Sequence, residues 1–278
     1  MDEMKYGLAL PYGPARSTAN LAALAEEAGW DGVFLGDAIW CEDPIVGLAA
    51  AAMVTNKIRL GTMIIPVPLR RPWKIASEAL ALDRLSNGRL TLGLGTGAVW
   101  MGWQAFPNEI QETRKRIEML DETIDILSIL FQRRQEDYSG KHFQLKLTEM
   151  DAMHYPSKTV QQPRIPIWIP GIWPKEKSIK RVLKADGILA EKLNAAGKSE
   201  PITPDDVHSI MQFVTTNRSL ASHFDMVING QSANLDRTSR NRQMTDWRQA
   251  GATWWIEGMW GATEREAEEI IRQGPPVQ

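Results

Sequence analysis

Asp37 and Glu257 each follow a short apolar run, Gly32 to Gly36 and Thr253 to Ile256, and each is a candidate to give or take a proton at a reacting atom. A carboxylate buried among aromatic faces has its pKa raised toward a useful range. Either residue can equally be the ion-pair partner of Arg70 or Arg71. Four of the eleven tryptophans, Trp40, Trp100, Trp173 and Trp260, lie just past apolar runs, as does Trp103. An indole offers a broad apolar face and one N–H donor, which suits the wall of a substrate pocket for a planar ligand; core packing or a subunit interface uses it as well.

The loop Gly95, Thr96, Gly97 lets a ligand approach the backbone, since neither glycine carries a side chain. It lacks the spacing and the following acidic residue of a dinucleotide fingerprint, and a tight turn explains it equally. Lys192, next to Glu191, can meet a phosphate as a point charge or stand solvated at the surface. His142, His154, His208 and His223 share no metal-ligand spacing and Cys41 is the only cysteine, so neither a metal site nor an intrachain disulfide is expected. A lone cysteine suits a reducing, cytoplasmic setting. The formal net charge of -2 leaves no basic footprint for nucleic acid, and Met1 to Leu10 is too short and too charged for a signal peptide or membrane span. The expected partner is a small-molecule substrate.

These residues need elements that bring them together. Short runs rich in Val, Ile and Leu alternate with stretches of helical period, which predicts βα units and a parallel sheet. The runs are Tyr6 to Pro11, Gly32 to Gly36, Ile58 to Ile65, Leu90 to Leu94, Ile165 to Ile169, Gly187 to Ala190, Phe224 to Ile228 and Thr253 to Ile256. Helices are expected from Thr18 to Gly29, from Asp43 as cap through Met53, from Trp73 to a stop at Asn87 and Gly88, from Glu109 to Phe131, around Lys177 to Lys184, and from Glu264 to Arg272. Eight strands with helices between them predict an α/β fold, a closed (β/α)8 TIM barrel, which typically takes roughly 250 residues; an open doubly wound sheet is the alternative. The whole of residues 1–278 is expected as one domain, with a hairpin or irregular insertion between strands four and five at roughly 135–160. In such a barrel the site lies at the carboxyl ends of the strands, where Asp37, Gly95 to Gly97, Gly171, Glu191, Lys192, Asn229 and Glu257 fall.

The segments IRLGTMIIPVPLRRP (Ile58 to Pro72), ASEALALDRLSNGRLTLGLGTG (Ala76 to Gly97) and QQPRIPIWIPG (Gln161 to Gly171), with AGATWW and RQGPP near the terminus, resemble the luciferase-like oxidoreductases. That resemblance implies coenzyme F420 or FMN as cofactor, with Thr62, Met63, Ile64, Gly95, Thr96, Gly97, Gly171, Ile172 and Lys192 binding it, and a non-prolyl cis peptide between Met63 and Ile64 behind the ring. It implies hydride transfer between a deazaflavin and a small organic substrate, or alternatively a reduced-FMN monooxygenase. The chain also departs from the pattern. Ala38 and Ala98 stand where one branch of the family carries a histidine and a glutamate for proton transfer, which admits a third reading, a flavin-binding barrel without catalysis. Ile172 and Trp173 replace paired glycines and narrow the space for a phosphate tail. Pairing into a homodimer through Gly47 to Met53 and Ala76 to Leu82 is a further implication.

Overall fold

Nearly every residue of the expected strands is apolar on both faces, the signature of a sheet covered by helices outside and side chains inside. The computed structural model describes residues 3–151, 154–155, 157–194 and 196–276. Ala152, Met153 and Pro156 of the expected insertion, and the two residues at each end of the chain, lie outside them. The strands are β1 (Lys5–Ala9), β2 (Gly32–Leu35), β3 (Arg59–Thr62), β4 (Leu90–Gly95), β5 (Ile167–Trp173), β6 (Gly187–Leu193), β7 (Asp225–Gly230) and β8 (Trp254–Gly258). Each pairs in parallel with the next, and β8 pairs with β1, as Lys5 opposite Trp254 and Ala9 opposite Gly258, so the barrel is closed.

The covering helices are α1 (Ala15–Glu27), α2 (Pro44–Val54), α3 (Pro72–Leu85), α4 (Thr113–Phe131), α5 (Glu176–Val182), α6 (Pro204–Asn217), α7 (Arg237–Ala250) and α8 (Glu264–Arg272). Asp43 caps α2 as expected, accepting from the amides of Ile45 and Val46. Asn87 and Gly88 take positive φ and end α3. The insertion between β4 and β5 contains a small antiparallel hairpin, Tyr138–Ser139 with Gln144–Leu145. No helix among the described residues is long and apolar enough to cross a membrane.

Three expectations need correction. The third strand does not run unbroken from Ile58 to Ile65: it stops at Thr62 and resumes at Ile65–Pro66, which pairs with Leu94 and Gly95. The helix expected from Glu109 begins at Thr113, because the Gln111 side chain donates to the carbonyls of Trp103 and Phe106 and holds a turn there instead. The first helix begins at Ala15, three residues before Thr18, without a side-chain cap.

The barrel interior is filled by Phe34, Trp168 and Trp254, with ring centroids 5.1 to 5.7 Å apart. Large rings fit because facing positions are small: a Cβ on Gly61 would come within 2.4 Å of Phe34, and one on Gly187 within 2.5 Å of Trp168. Both indole N–H groups donate to Asp225 at the lower end of β7, each at 3.1 Å, so the only polar atoms of the layer are satisfied. This layer forms a solid base beneath the strand carboxyl ends.

Candidate active site

Above the aromatic layer a cavity of about 530 Å³ opens at the strand carboxyl ends, lined by Met63, Ile64, Pro170, Glu191, Asn229 and Trp260 among others. Its floor is the break in β3. The Thr62 hydroxyl donates to the Gly93 carbonyl and accepts from the Gly93 amide, both at 2.9 Å, pinning the end of β3 to β4. The approach is so close that a Cβ on Gly93 would lie 2.0 Å from the Thr62 carbonyl oxygen. Met63 then donates its amide to the Leu35 carbonyl at 2.7 Å, and the Met63–Ile64 peptide is cis. Ile64 turns into the barrel over Gly95, where a Cβ would meet its Cδ1 at 2.6 Å. Met63 and Ile64 therefore present an apolar surface to the cavity, while Thr62 is fully buried and committed to Gly93.

The loop after β4 is held by a residue that sequence reading overlooked. Arg116 of α4 is buried and donates to the carbonyls of Thr96 and Gly97, each at 2.9 Å, with its guanidinium stacked 5.2 Å from the Trp103 ring. Gly97 adopts φ +78°, and its α-carbon sits where a Cβ would strike Trp103 at 2.6 Å. The signal was available: Arg116 shares a helix face with Leu120, Ile124 and Leu127, all buried, so a charge on that stripe had to be serving the interior.

Asp37 is bound by Arg70 at 3.0 Å, and the same guanidinium holds Asp43 at 2.9 Å and Glu78 at 3.3 Å. Burial pushes the Asp37 carboxyl up, and Arg70 pulls it back only in part. Glu257 is buried with both oxygens committed: it accepts from the amides of Ser232 and Ala233, the Ser232 hydroxyl and the Trp255 indole, at 2.6 to 3.1 Å. Lys192 is paired with Asp206 at 2.9 Å, and the Ile172 amide donates to Ser178 Oγ at 2.9 Å. Gly171 faces outward, making room for Ile188 and Val182 of the helix-side packing. Of the four tryptophans assigned to the pocket, Trp260 lines the cavity, 6.1 Å from Tyr12. Trp40 and Trp100, on the loops after β2 and β4, are 73 % and 80 % exposed, and Trp173 packs half-buried at the end of β5. Among the described residues no group of three or more His, Cys, Asp or Glu is arranged to hold a metal ion.

A family model for luciferase-like monooxygenases matches residues 4–198. The chain belongs to the luciferase-like monooxygenase family. A Mycobacterium tuberculosis protein provisionally named a coenzyme F420-dependent oxidoreductase is 40 % identical over 153 residues, covering 52 % of this chain and 42 % of that one. The 4-hydroxyprotoasukamycin monooxygenase of Streptomyces nodosus subsp. asukaensis is 32 % identical over 113 residues, covering 39 % and 30 %. These matches span less than half the length of either relative. The coenzyme F420-dependent tetrahydromethanopterin reductase of Methanopyrus kandleri superposes with a TM-score of 0.72 at 16 % identity over 99 % of both chains, which establishes the common barrel.

The mouth of this luciferase-like barrel fits the ring of such a cofactor better than its phosphate. Met63, Ile64 and Trp260 offer apolar surface to a planar group. At the ends of β5 and β6, in contrast, Lys192 has a carboxylate, the Ile172 amide has a hydroxyl, and Gly171 is turned away. A phosphate there would have to share Lys192 with Asp206.

Proposed function

We propose that this chain is a deazaflavin-dependent oxidoreductase whose ring site is the cavity over Met63 and Ile64. The observation carrying this reading is that apolar-floored cavity at the carboxyl ends of a luciferase-like barrel, with the Thr62 to Gly93 bonds fixing its floor. The preference for a deazaflavin over FMN is supported by the relative named for coenzyme F420, whose similarity is both higher and longer than that of the named monooxygenase. When bound, the deazaflavin supplies hydride exchange with a small organic substrate.

The chain's own residues orient and enclose. Met63, Ile64 and Trp260 bind the ring by apolar contact; Gly95 leaves room for Ile64, and Arg116 holds the Thr96 and Gly97 carbonyls so that the rim keeps its shape. Asp37, tied to Arg70, anchors the loop after β2, and Glu257 gathers the loop after β7; both act as positioning groups. Trp40 and Trp100 stand on rim loops that touch, the Trp40 indole lying beside Gly102, and we assign them to the substrate side of the mouth. A reduced-FMN monooxygenase is the second reading, favoured by the Streptomyces relative. Calorimetric titration with coenzyme F420 and with FMN separates them: tighter binding of coenzyme F420 is expected, tighter binding of FMN selects the second reading, and binding of neither refutes the ring site.

A proposed assembly is supported by the exposed face of α2. Its sequence is apolar all round, yet Val46, Met53 and Val54 are 51 to 71 % exposed, an arrangement that a partner surface resolves. We place a second copy of the chain there, as a homodimer, and the half-buried free thiol of Cys41 suits a cytoplasmic setting.

A further inference from the structure

Glu191 differs from Asp37, Asp206 and Glu257 in having no partner among the described residues at the mouth. Side chains of β6 alternate, and Leu189 lies inside the barrel beside Trp168, Val227 and Trp254. Glu191, two residues on, therefore points the same way one layer higher, into the cavity over Met63 and Ile64. Its neighbours are otherwise committed: Asp37 to Arg70, Glu257 to Ser232, Ala233 and Trp255, and Asp206 to Lys192. Among the described residues no hydrogen-bond donor or cation meets Glu191. The other charged side chains of the lining are Lys192, already neutralised by Asp206, and Glu200 on the short strand paired to β6; β5 contributes Pro170, and β7 contributes Val227 and Asn229. The Glu191 side chain is solvent-exposed at the open mouth with the barrel wall at its back, and desolvation by that wall raises its carboxyl above the ordinary value.

We propose that Glu191 is the proton donor and acceptor of the mouth site, filling the role for which Ala38 and Ala98 leave no side chain. This rests on the ring site proposed above and adds the group that moves the proton. With a ketone-class substrate, for which a bound reduced deazaflavin would supply the hydride of the new C–H bond, Glu191 would give its proton to the carbonyl oxygen as the π pair moves onto it. The products are an alcohol, the oxidised deazaflavin and the Glu191 carboxylate, which regains its proton from water at the open mouth. In the reverse direction the carboxylate accepts the alcohol proton as hydride leaves the carbon. A carboxyl raised by desolvation holds its proton to higher pH and can donate in this way.

The test compares wild type with Glu191→Gln and Glu191→Asp in the full chain. Carboxyl 13C NMR of glutamate-labelled protein, which needs neither coenzyme nor substrate, is expected to show one resonance that titrates above the ordinary glutamate range and is missing from E191Q. If the missing resonance titrates in the ordinary range, the proposal fails. Coenzyme F420 is then titrated calorimetrically into each variant, and its reduction by a panel of small alcohols is followed in a single turnover. E191Q is expected to bind within about threefold of wild type but to transfer hydride roughly a hundredfold or more slowly, with E191D recovering part of the rate. Unaltered transfer in E191Q overturns the role of Glu191 while leaving the ring site standing; failure of wild type to bind any flavin removes the ring site, and the proton role with it.

Discussion

A single missing Cβ sets the floor of the mouth. Gly93 lets the Thr62 carbonyl approach where any side chain would stand 2.0 Å away, and the obstacle is backbone, which cannot swing aside. Gly93→Ala is therefore expected to lower stability by about 1–3 kcal/mol or more in urea denaturation, and to weaken coenzyme binding, since Met63 and Ile64 must shift. Unchanged stability would mean that β3 can break elsewhere. The cis peptide at Met63–Ile64 was implied by the family resemblance, but the Gly93 constraint was not legible, because IRLGTMII reads as one uninterrupted strand and the constraint lies across to β4. The pairing of Asp37 was half legible. Arg70 and Arg71 are adjacent, and which of them turns inward depends on the short helical turn Val67–Leu69 before them; Arg70 does, and Arg71 remains exposed. Arg116 was legible in principle from its place on a buried stripe, and its partners, two loop carbonyls, were not.

Between elements, Glu26 shows how the outer layer is fastened. From the last turn of α1 its carboxylate accepts from the amides of Asn56, Lys57 and Ile58, the segment joining α2 to β3, at 2.6 to 3.0 Å. Burial alone would raise its pKa; the three amides outweigh that and hold it below the ordinary value of 4.5. A carboxyl depressed on folding stabilises fully above its unfolded pKa and loses that contribution as pH falls through the lower folded value. Glu26→Gln is thus expected to cost about 1–2 kcal/mol at neutral pH, and the difference from wild type should shrink in acid, as denaturation at several pH values will show. A constant difference would argue against the charge. Element positions were the most readable level, because the apolar runs, the start signal at Asp43 and the stop signal at Asn87–Gly88 are local chemistry. The late start of α4 was hidden, since Gln111 reaches back to Trp103 and Phe106 by side-chain bonds that no local pattern records.

For the whole molecule, the apolar outer face of α2 predicts association. Met53→Glu is expected to weaken the proposed dimer at least tenfold and leave monomer at micromolar concentration in light scattering; a wild-type monomer would remove the proposed interface. Eight strands and their closure were readable from the count of apolar runs, whereas the filling of the barrel was not, since Phe34, Trp168 and Trp254 come from three separate strands and depend on glycines of others. That filling also gives the protein an optical property. Trp168 and Trp254 are dry and sit directly beneath the cavity floor, while Trp40 and Trp100 emit from water. A dissolved quencher such as acrylamide reaches exposed indoles such as Trp40, Trp73 and Trp100 but not the inner pair, and an absorbing ring lying on Met63 and Ile64 would drain excitation from that inner pair. The shielded part of the protein's own emission is thereby a label-free gauge of whether the mouth is filled.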